Sequence, residues 1–464
     1  MAHAKQQHTY LAILSLALLT FIGILNETSM NVTYPELSRE FAVSLDMVQW
    51  ITTGYLLMVT VTMGTTAYLL RQFTAQKLQL VAVAAFITGD LMCALTGSFA
   101  VLLAGRLIQA IATGLSTPIL FHIIFTEIPR ERLGAMTGFA GMVISFAPAL
   151  GPTYGGWISA VTSWRMIFWL LLPFVLVSLL LGQLFIRNRP IGNQQPFSYG
   201  SLVSLALALF TVVYGLALIG RSGLRWVVLA WLVAGACFFA LFVYVNNHGR
   251  SRLFDLGVFR SKPLRLATLT YFNLQFINIG ISLVIPLYAQ YVLGSTSTVA
   301  GLILLPGSVF GALLAPFAGR LADSQGFATP VTFGGVLLLA GTLCFALFQP
   351  GLTPVLIMAF FTILRIGFNF AFGNTISNAT VLVAAQNSAD VNSIFNMVQQ
   401  FAGSLGTAFL AAVLAIYQNS GAGSLQARSY AGGRFDYLFL LAMAIIALAA
   451  IVVNYQLQRR AARR

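Results

Sequence analysis

Charge is scarce in this chain. Of its 464 residues, 8% are Asp, Glu, Lys or Arg, only 11 are acidic, and 58% are hydrophobic. A water-soluble domain carries roughly three times that share of charge, so the composition excludes one. Cysteine is scarce too. Cys93, Cys237 and Cys344 all fall inside apolar runs and have the spacing of neither a metal nor a redox site, so they read as small hydrophobic side chains. The four histidines (His3, His8, His122, His248) show no metal-ligand spacing. No Gly-x-x-x-x-Gly-Lys-Ser/Thr loop occurs, so the chain does not itself use ATP. Catalytic triads and paired carboxylates at a cleft are also missing. The expectation is a protein that is not an enzyme and needs no cofactor or metal.

What the sequence has instead is long apolar runs. Fourteen spans are read at 10–32, 47–70, 78–97, 99–126, 134–161, 164–186, 200–220, 225–246, 264–289, 298–319, 328–348, 353–376, 392–417 and 436–456. Runs of this length cross a bilayer as helices, and they lack the ten-residue alternation of a membrane barrel. The expected fold class is an all-α integral membrane protein with 14 transmembrane helices. The first run is not a cleavable signal, since it is too long, contains Glu27 and lacks an Ala-x-Ala exit. An even count returns both termini to one side. With that side cytoplasmic, 17 of the 25 Lys and Arg fall inside and six outside, leaving Arg106 and Arg365 within spans. That bias sets the orientation. It also explains the net charge of +14 with no nucleic-acid partner. The polar stretches 187–199, 247–263 and 418–435 are too short to be domains. Residues 187–199, with Pro190 and Pro196, read as a linker. Residues 247–263 place Leu253, Leu256 and Phe259 in phase and read as a short interfacial helix.

Three charges inside the spans carry the functional expectation. Glu27 lies late in the first span, roughly 25 Å along the helix. A carboxylate in the bilayer costs on the order of 3 kcal/mol and is by default functional. Arg106 and Asp90 fall at a similar depth, in the fourth and third spans, so a Glu27–Arg106–Asp90 cluster is expected. Such a cluster serves either as a proton-coupling site or as a fixed ion pair that locks helices together. Asn31, four residues from Glu27, shares its face, and Gln109 faces the way of Arg106. In the ninth span Asn273, Gln275 and Asn278 cannot all point in one direction. Arg365, Asn369 and Asn374 follow in the twelfth, and Asn396, Gln399 and Gln400 in the thirteenth. Each of these polar residues lines a substrate cavity or bonds between helices. Arg365, with no acid near it in sequence, favours a cavity or a bound anion. Tyr55, Phe272, Phe276, Phe368 and Phe372 are candidates for a hydrophobic pocket wall. In the fifth span Gly141, Ala147, Pro148, Gly151, Pro152, Gly155 and Gly156 read as a pivot or seal, because small residues admit a neighbouring helix closely.

These motifs resemble those of the Major Facilitator Superfamily, specifically its fourteen-span drug/proton antiporters. Residues 26–35, Asn-Glu-Thr-Ser-Met-Asn-Val-Thr-Tyr-Pro, are similar to the family's first-span Asp-x-Thr-x-x-Asn-Val-Ala-x-Pro, with Asn26 in the acid slot and Glu27 after it. Gly105-Arg106-Leu107-Ile108-Gln109-Ala110 resembles the fourth-span Arg-x-x-Gln-Gly motif, and Gly151-Pro152-Thr153-Tyr154-Gly155-Gly156 the fifth-span antiporter motif. The loop motif Gly-x-Leu-Ala-Asp-Arg-x-Gly is intact only in the second half, at residues 319–326 with Asp323. After the second span Arg71 stands in the Asp slot, so a weaker conformational latch is expected there. With residues 50–55, Trp-Ile-Thr-Thr-Gly-Tyr, this pattern is similar to the lincomycin-resistance subgroup of bacterial exporters. The resemblance implies two six-helix bundles, at 1–190 and 251–464, with two inserted helices at 191–250, rocking to give alternating access. It also implies a monomer in a bacterial cell membrane that exchanges protons for amphipathic drug-like compounds. The alternative is a proton-coupled exporter or symporter of an anionic or zwitterionic metabolite or peptide. A membrane receptor or lipid scramblase is the rival of another class.

Overall fold

The computed structural model describes the chain apart from residues 1, 44, 49, 188–196, 223, 224, 250, 420–422, 463 and 464. Most of the expected 187–199 linker therefore lies outside the described residues. The first half contributes α1 (Ala2–Ser29), α2 (Trp50–Gln72), α3 (Ala75–Leu95), α4 (Phe99–Glu127), α5 (Leu133–Val161) and α6 (Leu172–Phe185). A pair follows, α7 (Tyr199–Ser222) and α8 (Trp226–His248). The second half contributes α9 (Lys262–Tyr291), α10 (Leu305–Gln325), α11 (Ala328–Phe348), α12 (Pro354–Val381), α13 (Ser388–Gln418) and α14 (Leu425–Ala462). Fourteen helices are long and apolar enough to span a bilayer, and among the described residues there is no strand.

Helix α14 starts well before residue 436, where its apolar run begins. The extra turns are polar and bonded within the protein: Gln418 donates to Ser429 Oγ (3.0 Å), Arg428 to the Gln418 carbonyl (2.5 Å), and Gln349 to the Tyr430 carbonyl (2.9 Å). The 247–263 stretch is also corrected. It forms only a 3₁₀ turn, Leu256–Arg260. Leu253 and Phe254 are buried in the protein rather than laid on the lipid surface. Asn246 fixes them, accepting from the Leu253 N–H (3.0 Å) and donating to the Phe254 carbonyl (3.1 Å).

Hydrogen bonds joining the two halves cluster at the face that bears the termini. Helices α5 and α10 meet backbone to backbone: a Cβ built on Gly319 would lie 1.9 Å from the Gly134 carbonyl oxygen, and one on Gly134 2.3 Å from that of Gly319. Asp323 accepts from the Gly134 N–H (2.7 Å) and the Ala135 N–H (3.0 Å). These N–H groups open α5 and have no partner within their own helix. Deeper in the same seam Ser377 of α12 donates to Thr137 of α5 (2.9 Å).

The matching contact between α2 and α13 uses a reversed charge. Arg71 pairs with Asp390 at 2.6 Å and donates to the Leu253 carbonyl (2.8 Å), while the Asp255 N–H bonds the other Asp390 oxygen (3.0 Å). Asp390 lies in the first turn of α13, where the helix dipole also favours an acid. Where Arg71 stands in the Asp slot, the contact is thus a direct ion pair with the connecting loop tied into it.

At the opposite face the chain between α1 and α2 includes a short helix, Tyr34–Glu40. Glu40 accepts from Arg165 (2.6 Å) and from the indole N–H of buried Trp164 (2.7 Å). The Arg165 guanidinium holds the Glu40 carboxyl below its ordinary range. The pair therefore persists as the pH falls until the lowered value is crossed. Helix α7 packs across α2 and α13 from outside. Trp50 of α2 stacks with Phe210 (5.9 Å between ring centres), and Tyr214 of α7 meets Trp231 of α8 (4.8 Å).

If Arg71–Asp390 holds this face shut, breaking it exposes the seam. A single cysteine at Ser377, in a background without the three native cysteines, reports the opening. Asp390→Asn is expected to raise its thiol-labelling rate several-fold, and the exchange Arg71→Asp with Asp390→Arg to bring the rate back down. An unchanged rate in Asp390→Asn would show that the pair holds nothing closed.

Candidate functional site

The charges of the first half are joined through amides. Asn26 on α1, Asp90 on α3, and Arg106 and Gln109 on α4 are all fully buried. The Arg106 guanidinium donates to Asn26 Oδ1 (3.1 Å) and Gln109 Oε1 (2.9 Å). The Asn26 amide N–H₂ donates to Asp90 Oδ1 (3.4 Å), and the Gln109 amide donates to the same oxygen. Asp90 and Arg106 thus share two partners without touching. Asp90 Oδ2 and Arg106 Nε and Nη2 have no hydrogen-bond partner. The arrangement depends on α3 and α4 lying very close, since a Cβ on Gly89 would stand 2.5 Å from the Gly105 carbonyl oxygen.

Tyr55 closes the other side. Its ring lies 4.3 Å under the Arg106 guanidinium carbon, a cation–π contact. Its hydroxyl meets Thr113 Oγ1 (2.6 Å) and the Gly23 carbonyl (3.2 Å). Tyr55 and Gln109 are therefore part of the packing around Arg106, enclosed in the core of the first half rather than standing on an open wall.

Glu27 stands apart from this network. Successive residues on a helix diverge by about 100°, so while Asn26 turns to Asp90 and Arg106, Glu27 turns away and stays partly exposed. It accepts no hydrogen bond and forms no ion pair among the described residues, yet it lies within electrostatic reach of Arg106. The expected three-charge cluster is accordingly two sites, a sealed one around Arg106 and an accessible carboxyl beside it.

Asn31 does not share the Glu27 face. The α-helix ends at Ser29 and Met30–Thr33 is a 3₁₀ turn, whose tighter winding breaks the four-residue register. Asn31 is exposed, and its side-chain oxygen accepts from Tyr34 and Thr52, each at 3.0 Å.

The glycines of α5 set the position of Glu27. A Cβ on Gly151 would lie 1.8 Å from Thr28 Oγ1, and one on Gly155 2.3 Å from the Ser29 carbonyl oxygen. Helix α5 therefore rests on the turn of α1 that carries Glu27, and any tilt of α5 is felt there. Gly156 has open space around it, so close packing does not account for it. The Pro152 side chain lies outside what is described.

In the second half the polar residues divide. Arg365 is buried, donates to Asn278 Oδ1 and lies over Phe368 (5.4 Å) and Phe361 (5.9 Å). The Asn278 amide in turn donates to Gln275 Oε1 (3.2 Å), and Asn369 donates to the Arg365 carbonyl (2.9 Å). Asn273 bonds back to its own helix at the Leu269 carbonyl (2.7 Å), leaving its Oδ1 without a partner. Gln399 accepts from Tyr271 (3.1 Å). Phe276 packs on Phe439 (5.8 Å) and Phe409 (6.4 Å) inside the half. Asn278, Arg365 and Asn369 thus come together, while Asn273, Gln399 and Phe276 sit in separate environments.

Two residues that organise these contacts are missing from the sequence expectations. Asn26 read only as an occupied motif slot, although an amide next to a membrane carboxylate is a bridging candidate. Asp390 carried the signal of an acid in a helix's first turn.

Comparison with known proteins gives a consistent result. The sequence pattern of the Major Facilitator Superfamily matches residues 16–257 and 197–407. The chain is 32% identical over 439 residues to the lincomycin resistance protein LmrB of Listeria monocytogenes, covering 92% of this chain and 93% of that one. It is 29% identical over 402 residues to the multidrug resistance protein B homolog of Mycobacterium tuberculosis, covering 84% and 73%. The fold is similar to that of the human organic anion transporter MFSD10 (TETRAN), with TM-score 0.69 at 14% identity over 96% of this chain and 99% of that one. It is also similar to the proton:xylose symporter XylE, with TM-score 0.67 at 14% identity over 96% and 95%.

The bridging role of Asn26 has a measurable cost. Asn26→Leu keeps the branched outline of the side chain but removes an acceptor from Arg106 and a donor from Asp90. Stranding buried polar groups costs about 1–3 kcal/mol, so a lower unfolding midpoint in detergent is expected. A midpoint equal to wild type would show that the bridge contributes nothing to the packing of α1 on α3 and α4.

Proposed function

The chain belongs to the Major Facilitator Superfamily, a family of membrane transporters and not of enzymes, and on that premise we propose that it is a proton-driven exporter of amphipathic, drug-like compounds. The observation that carries the proposal is the pairing of an accessible carboxyl, Glu27, with a sealed cation, Arg106, on helices whose neighbour α5 also forms the seam between the halves. The names of relatives with similar sequences support a drug-like cargo.

The Lys and Arg bias assigns the face bearing the termini to the cytoplasm of a bacterial cell. The bonded seam then closes the cytoplasmic side, and the conformation described is the outward-facing one. In that state Glu27 takes a proton from outside, loses its hold on a cationic cargo and releases it. Inward-facing, the carboxyl loses the proton and the next cargo binds. Arg106 favours the ionised form of a nearby acid and so sets when the proton leaves. One proton entering for one monovalent cation leaving moves no net charge, so the pH gradient drives that exchange. For an uncharged cargo the proton moving inward down a potential of about 100 mV supplies roughly 2.3 kcal/mol, enough for a gradient of tens-fold. The proposal takes residues 1–190 and 251–464 as the rocking bundles of a monomer, with 191–250 inserted.

A second reading rests on Arg365, a buried guanidinium held by an amide and two aromatic rings. It favours an anionic or zwitterionic cargo. Proton release by purified protein on adding a panel of cations, zwitterions and anions separates the two readings.

For the main reading, Glu27→Gln is expected to fold normally and to lose efflux driven by an imposed pH step in vesicles by at least about tenfold. Wild-type transport by that variant would reject Glu27 as the coupling group.

A further inference from the structure

One ionisable side chain inside a span takes no part in either site. Asp436 of α14 is completely buried, and neither carboxylate oxygen has a hydrogen-bond partner. The adjacent Tyr437 is also buried, and its hydroxyl is likewise without a partner.

The helical neighbours of Asp436 locate it. Four residues before it, Gly432 meets Leu414 and Tyr417 of α13, and three before it, Gly433 meets Tyr288 of α9. Three residues after it, Phe439 packs on Phe276 of α9 and Phe409 of α13. Residues three and four apart share a helix face, so Asp436 points into the junction of α9, α13 and α14. Helix α11 lies beside it and contributes Phe345, stacked on Tyr437 at 5.1 Å.

The titratable groups around it are Tyr288 from α9, Tyr417 from α13, and Tyr437. None is a cation, and among the described residues no charged side chain pairs with Asp436. Arg434 on the same helix is exposed and turned away. No cluster of three His, Cys, Asp or Glu side chains occurs among the described residues, and no second acid or imidazole accompanies Asp436 among the neighbours named.

An ionised carboxylate with no partner and no water is among the costliest groups to bury, and such a group neutralises instead. The ligand that satisfies this site is a proton. We propose that Asp436 is a second proton-binding site, built into the second half of the chain and separate from Glu27 and Asp90.

In the conformation described the junction is sealed and the carboxyl keeps its proton. Release breaks the O–H bond and passes the proton to water, so water must enter between α14 and its neighbours α9 and α13. Loss of the proton and loosening of that junction are one event. Helix α13 also carries Asp390 of the latch, so the same helix feels both charges.

The test uses the purified full-length protein unfolded by SDS at pH 7, with proton release read by a pH dye. A carboxyl neutral when folded and ionised when unfolded gives up its proton on unfolding. Asp436→Asn is expected to release about one proton fewer per chain than wild type. The infrared difference between the folded forms should show loss of a protonated-carboxyl band. Asparagine is isosteric with the neutral acid, so the variant should unfold at the wild-type temperature or above. Should it not accumulate, Asp436→Ser serves in the same comparison. Equal proton release, or loss of a carboxylate band instead, overturns the proposal. Neither result bears on Glu27, which is intact in both variants.

Discussion

Arg106 is the constraint around which the first half is built. A guanidinium is charged under all conditions that matter here, and at its depth there is no water to solvate it. Acceptors must come from the protein, and they come from α1 and α4 itself, with the Tyr55 ring from α2 beneath. Asp90 on α3 accepts from the same two amides. Four helices are thereby held to one point by polar contacts that bilayer hydrocarbon cannot replace. Glu27 is positioned by exclusion: with the Asn26 side of α1 committed to this point and the Thr28 side pressed on Gly151, the intervening direction is the one left open.

The two latches solve one problem by different chemistry. At the α5–α10 seam a carboxylate from one half caps a helix of the other, which needs no cation. At the α2–α13 seam the acid stands in the first turn of its own helix and the partner half supplies the cation. The second arrangement also draws in the loop through Leu253 and Asp255. It makes the connection between the halves part of the closure itself.

Much of the fold was legible in the sequence because the bilayer imposes a length and a polarity that each helix must meet separately. The fourteen apolar runs, the depth of the three charges and the closely packing glycines of α5 follow from local composition. What was not legible depends on partners distant in sequence. The start of α14 was hidden because polar groups there find partners in Gln349 and Gln418, both distant in sequence from the apolar run. That boundary also left Asp436 at the apparent edge of a span, where an acid raises no question. Asn31 was misplaced by assuming an unbroken helical register. The division of Arg106 and Glu27 into a sealed and an open site required knowing which way each side chain of α1 turns.

The α7–α8 pair gives the molecule a front and a back within the plane of the bilayer. Helix α7 lies over the line where α2 meets α13, fixed there by aromatic stacking on Trp50, while α8 presents most of its surface outward. No comparable pair covers the line between α5 and α10 among the described residues. Lipid tails and anything dissolved among them therefore meet a shielded flank on one side and bare helices on the other. The two seams thus present different surfaces to the bilayer, one aromatic and layered, the other a single helix deep.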